Sequence, residues 1–278
     1  MVSPGHGELR TVDLPAPGPG QVRIRALYGG ISRGTESLVF HGRVPESQHQ
    51  VMRCPHQCGD FPGPVKYGYI VVGEIEAPSS RQGERVFVLH PHQTSFVVDQ
   101  ADVVSLPDDL DPALAVLAPN LETAINAMWD ARAASGSAAA VIGAGVVGML
   151  VAWCLKQAGV DVELVDIKPE RRTIADRLGL SLLSPDEASG ERPLIVHASG
   201  TEAGLRRALE LAAPEGTILE LSWYGDRPVS LPLGAHFHAR RLSIRSSQVG
   251  TVSPAAPEGT THRDRMLHTL EVLARHPE

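Results

Sequence analysis

The sequence predicts an α/β protein in two parts: a β-rich first half and a doubly wound parallel sheet in the second. Three observations carry this. Before about residue 120, apolar residues fall in short runs broken by Gly and Pro. After about residue 135, strand-like runs alternate with stretches of helical periodicity. The first of those later strands runs straight into a G-x-G-x-x-G. Alternating strands and helices imply a parallel sheet with helices on both faces.

In the first half QVRIRALY (21–28), YIVVGEIE (69–76), RVFVLH (85–90) and TSFVVD (94–99) read as strands, and PAPGPG (15–20) as the turn before the first. Residues 42–64 are rich in Pro and Gly and lack periodicity, so they read as a long loop, a kind that is often functional. In the second half AAAVIG (138–143) is a buried-type strand, and 147–159 a helix closed by Gly159. VDVELVD (160–166) is the next strand, and 169–179 a helix between Pro169 and Gly179. Runs 193–199, 201–212, 216–222 and 241–247 continue the alternation, and 263–276 is a final helix.

Composition narrows the function class. Apolar residues make up 42% and charged residues 21% of 278, as in ordinary globular proteins. A net charge of -7 argues against a nucleic-acid partner, which needs a basic face. No apolar run reaches the roughly 18 residues that span a membrane, and the N-terminus lacks signal-peptide character. Three cysteines, Cys54, Cys58 and Cys154, make no disulfide framework and suit a reducing cytoplasm.

Gly143-Ala144-Gly145-Val146-Val147-Gly148 sits between a strand and a helix, and Asp166 ends the next strand 18 residues after Gly148. That context is what a dinucleotide-binding Rossmann fingerprint requires. Gly143 permits the tight turn, Gly145 the approach of a pyrophosphate, and Gly148 the close packing of helix on sheet. The N–H groups of the helix start, at Val146 and Val147, face the phosphates. A carboxylate at Asp166 accepts hydrogen bonds from a ribose 2′-OH and repels a 2′-phosphate, which favours NAD(H). Lys168, Arg171 and Arg172 follow closely and keep NADP(H) open.

GGISRGTES (29–37), KYGYIVVGEI (66–75) and LAPNLETAINAMWDA (117–131), followed by VIGAGVVG, together resemble the medium-chain dehydrogenase/reductase superfamily over nearly the whole chain. The resemblance implies a GroES-like catalytic domain over 1–118, completed by 253–278, and a Rossmann domain over 119–252. It also implies an enzyme acting on a small molecule, and a homodimer joined at sheet edges. Against the family pattern the first domain is expected to lack an opening strand and a closing strand and helix. Zinc members of the family place ligands where this sequence has Ser32, Tyr69 and Pro119, and the four-cysteine structural zinc lobe is missing. A zinc-free branch is therefore expected. The S-x-G-T-E segment followed by Gly42-Arg43-Val44-Pro45 is locally similar to bacteriochlorophyllide 3-hydroxyethyl dehydrogenases. A competing metal reading uses Cys54, His56 and Cys58 with His49, at a spacing that matches no strong template.

Without zinc, hydrogen bonds and acid/base groups must handle the substrate oxygen. Thr35 matches the family's proton-relay hydroxyl, and Tyr69 stands where a metal ligand would. Glu36, His90, His92 and Glu122 are further acid/base candidates, and strand alternation puts Tyr67 and Tyr69 on one face and Lys66 on the other. Thr123 matches the residue that contacts nicotinamide in relatives. Ser199-Gly200 and Ser222-Trp223 lie at strand ends where ligands of open sheets bind. Ser246, Ser247 and Gln248 follow the last strand. Two readings result: a zinc-independent NAD(P)(H)-dependent oxidoreductase acting on an alcohol/carbonyl, or less readily on an activated C=C, and a dinucleotide-binding sensor or accessory subunit without turnover.

Overall fold

A computed structural model describes residues 1–277. The chain forms two compact units: Met1–Pro119 together with the chain from Arg263 onward, and Asn120–His262.

The first unit holds β1 (Gln21–Gly29), α1 (Arg33–Phe40), β2 (Cys58–Gly59), β3 (Val65–Lys66), β4 (Val71–Ala77), β5 (Arg85–Val88), β6 (Ser95–Asp99), β7 (Val103–Ser105) and α2 (Pro112–Ala115). Five of these strands form an antiparallel sheet in the order β6-β1-β4-β5-β7, while β2 and β3 pair separately. Alternation selects the buried face. Val22 and Ile24 of β1 point inward, with Val71, Ile75, Val86, Val88, Phe96 and Val98 completing the cluster. Arg23 and Arg25 take the opposite face, where Arg25 reaches Glu74 and Glu76 of β4 at 3.5 Å.

The chain leaves this unit within α3 (Ala118–Ala131). The second unit then runs β8 (Ala138–Ile142), α4 (Val146–Gln157), β9 (Asp161–Val165), α5 (Arg172–Arg177), β10 (Leu182–Leu183), β11 (Arg192–His197), α6 (Glu202–Leu211), β12 (Ala212–Glu220) and β13 (Ser243–Ser246). Its sheet is parallel, in the order β10-β9-β8-β11-β12-β13. The central strand β8 is all small or branched apolar residues, as a strand covered on both faces must be. Ile195 and Ile218 of the neighbouring strands pack with Leu205, Ala208 and Leu209 of α6. Helix α7 (His262–Arg275) begins as the chain returns, and Arg263 donates to the carbonyls of Ala101 and Val103 at 3.0 Å.

The differences from the sequence expectations are local. The strand expected over 69–76 begins at Val71, because Gly68 (φ 128°) breaks the alternation before it. The helix expected over 169–179 opens as a 3-10 turn, Pro169–Arg171, and ends at Arg177. Strand β12 starts at Ala212 rather than 216, directly off α6. Residues 253–262, expected with the first domain, are held in the second unit, where Ser253 N–H donates to Asn126 Oδ1 at 3.0 Å and His262 Nε2 meets the Gly250 carbonyl at 3.0 Å. Among the described residues no helix is long and apolar enough to cross a membrane.

Truncating Ile195, fully buried in β11, to Ala should destabilise the second unit by about 2–5 kcal/mol. The same change at the half-open edge residue Ile244 should stay within about 0.5 kcal/mol. Urea denaturation of both variants checks the contrast.

Candidate functional site

The second unit builds a glycine cradle at a helix start. Helix α4 starts at Val146, with Gly145 as its N-cap, so its first N–H groups have no acceptor within the helix. A Cβ on Gly148 would lie 1.8 Å from the Gly143 carbonyl oxygen, so only glycine lets the helix start this close to the strand end. A Cβ on Gly145 would meet only the tip of Arg171, at 3.9 Å, which leaves open space before the loop. Val146 is exposed there. These residues fit a pyrophosphate.

Asp166 follows β9 beside this cradle. Its Oδ2 accepts from Ala144 N–H at 2.7 Å and from Arg171 Nη1 at 2.9 Å, and its Oδ1 accepts from Lys168 N–H at 2.9 Å. Three donors fix the carboxylate, and one of them is a cation that phosphate also attracts. Next to it a cavity of about 380 Å³ is lined by Asp166, Ile167, Pro169, Arg172, Leu182 and Leu183. Ile167, Leu182 and Leu183 give it an apolar side and Asp166, Arg172 and Glu187 a charged one, a lining that suits a base attached to a ribose.

Of the other expected cofactor residues, Ser199 and Ser222 lie beyond the ends of β11 and β12 and share one hydrogen-bonded network with His197 and Glu220. Gln248 is exposed and accepts from Gly250 N–H at 2.6 Å. Ser247 donates to Asp130 Oδ2 at 2.6 Å, and Ser246 is exposed at the end of β13. Thr123 and the buried Glu122 lie on α3 within the second unit.

The first unit gathers a different set. Helix α1 carries Thr35 and Glu36. Glu36 Oε1 accepts from Ser32 N–H at 2.7 Å, closing the helix start, and its Oε2 lies 2.7 Å from His92 Nε2. His92 fits because Gly68 has no side chain: a Cβ there would sit 2.8 Å from the imidazole. The hydrogen bond to Glu36 holds the His92 pKa above its usual value. Tyr69 bonds through its hydroxyl to the side chains of Ser32 and Thr35, and burial pushes its pKa up, so it remains a phenol at neutral pH. Four expected residues, Thr35, Glu36, Tyr69 and His92, thus converge, joined by Ser32.

Other candidates turn away. His90 is buried and stacked on Phe96 at 3.8 Å, its Nδ1 meets the Pro91 carbonyl at 2.8 Å, and burial lowers its pKa to about 4. Tyr67 donates to the Met52 carbonyl at 3.2 Å, with its ring edge-on to Tyr69 at 6.1 Å, and Lys66 points to Gln93. The 49–58 loop spreads its donors. His49 meets the Val44 carbonyl at 3.1 Å, His56 pairs with Asp102 at 3.2 Å, Cys58 is exposed, and burial raises the Cys54 thiol to about 11. Among the described residues no three His, Cys, Asp or Glu side chains come together as a metal site. Two residues escaped the sequence reading: His197 and Glu220. Each is a lone polar residue ending an apolar strand run, and only the register of β11 on β12 sets them side by side.

Because His92 binds a proton more tightly when folded, its pairing with Glu36 adds stability that is fully present below about pH 6.5 and is lost as pH rises through the elevated folded value. Glu36→Gln should therefore lower the urea midpoint more at pH 5.5 than at pH 8.5. The His92 pKa, read by NMR, should fall in the variant.

The family model described as ketopantoate reductase PanE/ApbA matches residues 139–205, the stretch from β8 into α6. Glucose 1-dehydrogenase of Thermoproteus tenax is 26% identical over 259 residues, covering 80% of this chain and 74% of that protein. The 2-desacetyl-2-hydroxyethyl bacteriochlorophyllide A dehydrogenase of Cereibacter sphaeroides is 36% identical over 87 residues, 29% of this chain and 23% of that protein. A Sinorhizobium meliloti 1021 protein solved with NADP bound superposes with TM-score 0.75 at 18% identity, covering 98% of this chain and 87% of that one. Acetophenone reductase from Geotrichum candidum, in complex with NAD, gives TM-score 0.74 at 15% identity over 95% and 82%.

Proposed function

We propose that this chain, which has dehydrogenase relatives and the GroES-like plus Rossmann fold of the medium-chain dehydrogenase/reductase superfamily, is a zinc-independent oxidoreductase. It would move hydride between a nicotinamide dinucleotide and an alcohol/carbonyl of a small organic substrate. The observation that carries the reading is the glycine cradle at the start of α4 with Asp166 fixed beside it. NAD(H) is the favoured cofactor because the Asp166 carboxylate suits a ribose diol. Arg171, 2.9 Å from that carboxylate, is the group that would let a 2′-phosphate in.

A bound nicotinamide supplies the hydride acceptor or donor. The chain must handle the proton on the substrate oxygen. Tyr69 is a protonated phenol at working pH and serves as the hydrogen-bond donor to that oxygen. Its partners Thr35 and Ser32 relay the proton, and the Glu36–His92 pair exchanges it with solvent, His92 being 39% exposed in its side chain. The zinc-free reading rests on donor chemistry. At the family's ligand positions stand a serine hydroxyl, a phenol held neutral by burial, and the proline Pro119, none of which suits zinc at neutral pH. The small-molecule partner follows from the same reading, as does a homodimer.

NADH should bind the purified chain, and Asp166→Ala should weaken it about tenfold or more and narrow the preference over NADPH; fluorescence titration checks both. Arg171→Ala should weaken NADPH selectively. In an absorbance screen over alcohols, aldehydes and ketones, Tyr69→Phe should lower kcat by about 100-fold with NADH affinity unchanged. Tight NADH binding without turnover on any substrate would favour a sensor or accessory subunit, and stoichiometric zinc by metal analysis would overturn the zinc-free reading.

A further inference from the structure

A histidine–carboxylate pair lies buried at the ends of two parallel strands, and a serine hydroxyl completes it. His197 ends β11, is 0% exposed, and sits in register opposite Glu220, the last residue of β12. Its Nδ1 is 2.9 and 2.8 Å from the two carboxylate oxygens, so the Nδ1 proton goes to Glu220. Nε2 is then left as an acceptor, 2.6 Å from Ser199 Oγ. Ser222 N–H donates to Glu220 Oε1 at 2.7 Å and the Tyr224 hydroxyl to Oε2 at 3.1 Å, which fixes the carboxylate. Folding does not demand such a pair, because an apolar pair of the same volume stabilises a sheet interior as well or better. Carboxylate, imidazole and hydroxyl in this order are the parts of an activated serine nucleophile, which is recognised by geometry and not by sequence position.

The turn that carries Ser199 suits that role. Residues Ala198 to Thr201 join β11 directly to α6, and Gly200 among them takes φ 66°. A sharp strand-to-helix turn lifts a nucleophile off the sheet edge. Ser199 is accordingly only half-buried, while His197 behind it is closed off. Ser222 Oγ accepts from Gly200 N–H at 3.0 Å and bonds the Tyr224 side chain, which pins the turn. Gly204, in the first turn of α6, leaves room for the hydroxyl: a Cβ there would collide with Ser199 Oγ and lie 2.8 Å from His197 Nε2. Thr201 Oγ1 is 2.9 Å from Ser199 Oγ and accepts from Gly204 N–H at 3.1 Å. Since Ser199 gives its proton to Nε2, Thr201 is the donor between the two hydroxyls. With Thr201 N–H at 3.3 Å, two donors face the oxygen that gains negative charge as its proton leaves.

We propose that Ser199, His197 and Glu220 form an acyl-transfer site for esters of small carboxylic acids, a second activity separate from hydride transfer. Ser199 Oγ attacks the ester carbonyl carbon while its proton passes to His197 Nε2. The tetrahedral adduct breaks its bond to the alcohol oxygen, which takes that proton from Nε2 and leaves as the alcohol. Water then attacks acyl-Ser199, giving a proton to Nε2 and from there to Ser199 Oγ, and the carboxylic acid leaves. Ester and water become acid and alcohol with no further reactant. The first N–H groups of α6, at Glu202 and Ala203, have no acceptor within the helix and are the donors open to the carbonyl oxygen. The acid is small because the neighbouring loop is close: a Cβ on Gly143 would lie 2.6 Å from Ser199 N. Ser199 and His197 are catalytic residues, and Glu220 is a positioning residue that keeps the imidazole in the required tautomer. The inference does not depend on the dinucleotide reading, since it concerns the chain without cofactor.

The test mixes the full chain with p-nitrophenyl acetate and, separately, with a fluorophosphonate that traps activated serines. The ester should release a burst of about one equivalent of p-nitrophenolate per chain, and peptide mass spectrometry should find the acetyl group and the phosphonate on Ser199. Ser199→Ala, which removes one oxygen atom, should abolish the burst with its urea midpoint showing a folded chain. His197→Asn should slow the burst by about 100-fold or more. Glu220→Gln should lower the limiting burst rate while the ester concentration at half-saturation stays put, a split that a merely structural role would not produce. A wild-type chain that takes no label, a label on any other residue, or equal burst rates in wild type and His197→Asn would overturn the proposal.

Discussion

The contact of Gly148 with the Gly143 carbonyl sets the geometry of the second unit. It brings the start of α4 down onto the end of β8, so that the helix presents its unsatisfied N–H groups at the C-terminal edge of the sheet. Once that end is fixed, parallel pairing carries the neighbours with it. Asp166 falls on one side, where Ala144 N–H anchors it, and His197 and Glu220 fall on the other. One backbone approach that a single methyl would forbid thus aligns a carboxylate, an open helix N-terminus and a buried polar pair along one edge.

Both units handle polar side chains by the same physics, with different outcomes. In the first unit Glu36, Ser32, Thr35, Tyr69 and His92 form a chain that stays open to solvent at His92. Such a chain can pass a proton outward. In the second unit the His197–Glu220 pair is closed off, every polar atom around the carboxylate is a donor, and the network holds the imidazole still. Exposure of the histidine, 39% of the side chain in one case and none in the other, separates a network open to water from a closed one.

Local chemistry explains what could be read from residue order. The glycine fingerprint, its flanking strand and helix, and Asp166 at the next strand end were legible because all lie within one strand–helix–strand unit. Thr35 and Glu36 were legible as neighbours on one segment, and Tyr69 as a replacement in a recognisable one. The Glu36–His92 contact was not, because 56 residues separate them and their meeting depends on the empty space at Gly68. His90 carried the same signal as His92, yet it is buried and stacks on Phe96. Both follow β5 in the connection to β6, and they differ in what each ring meets there: Phe96 and the Pro91 carbonyl for His90, Glu36 and the space at Gly68 for His92.

Sequence alone determined the two-part α/β architecture and the place of the glycine turn with a carboxylate at the next strand end, since periodicity and a contiguous motif are written in neighbouring residues. Tertiary structure alone decided which polar residues meet: Glu36 with His92, Tyr69 with Ser32 and Thr35, His197 with Glu220, and Asp166 with Arg171. The physical reason is that hydrogen bonds reach about 3 Å. A pairing over that distance is set by strand register, glycine clearances and burial, which no local run of residues specifies.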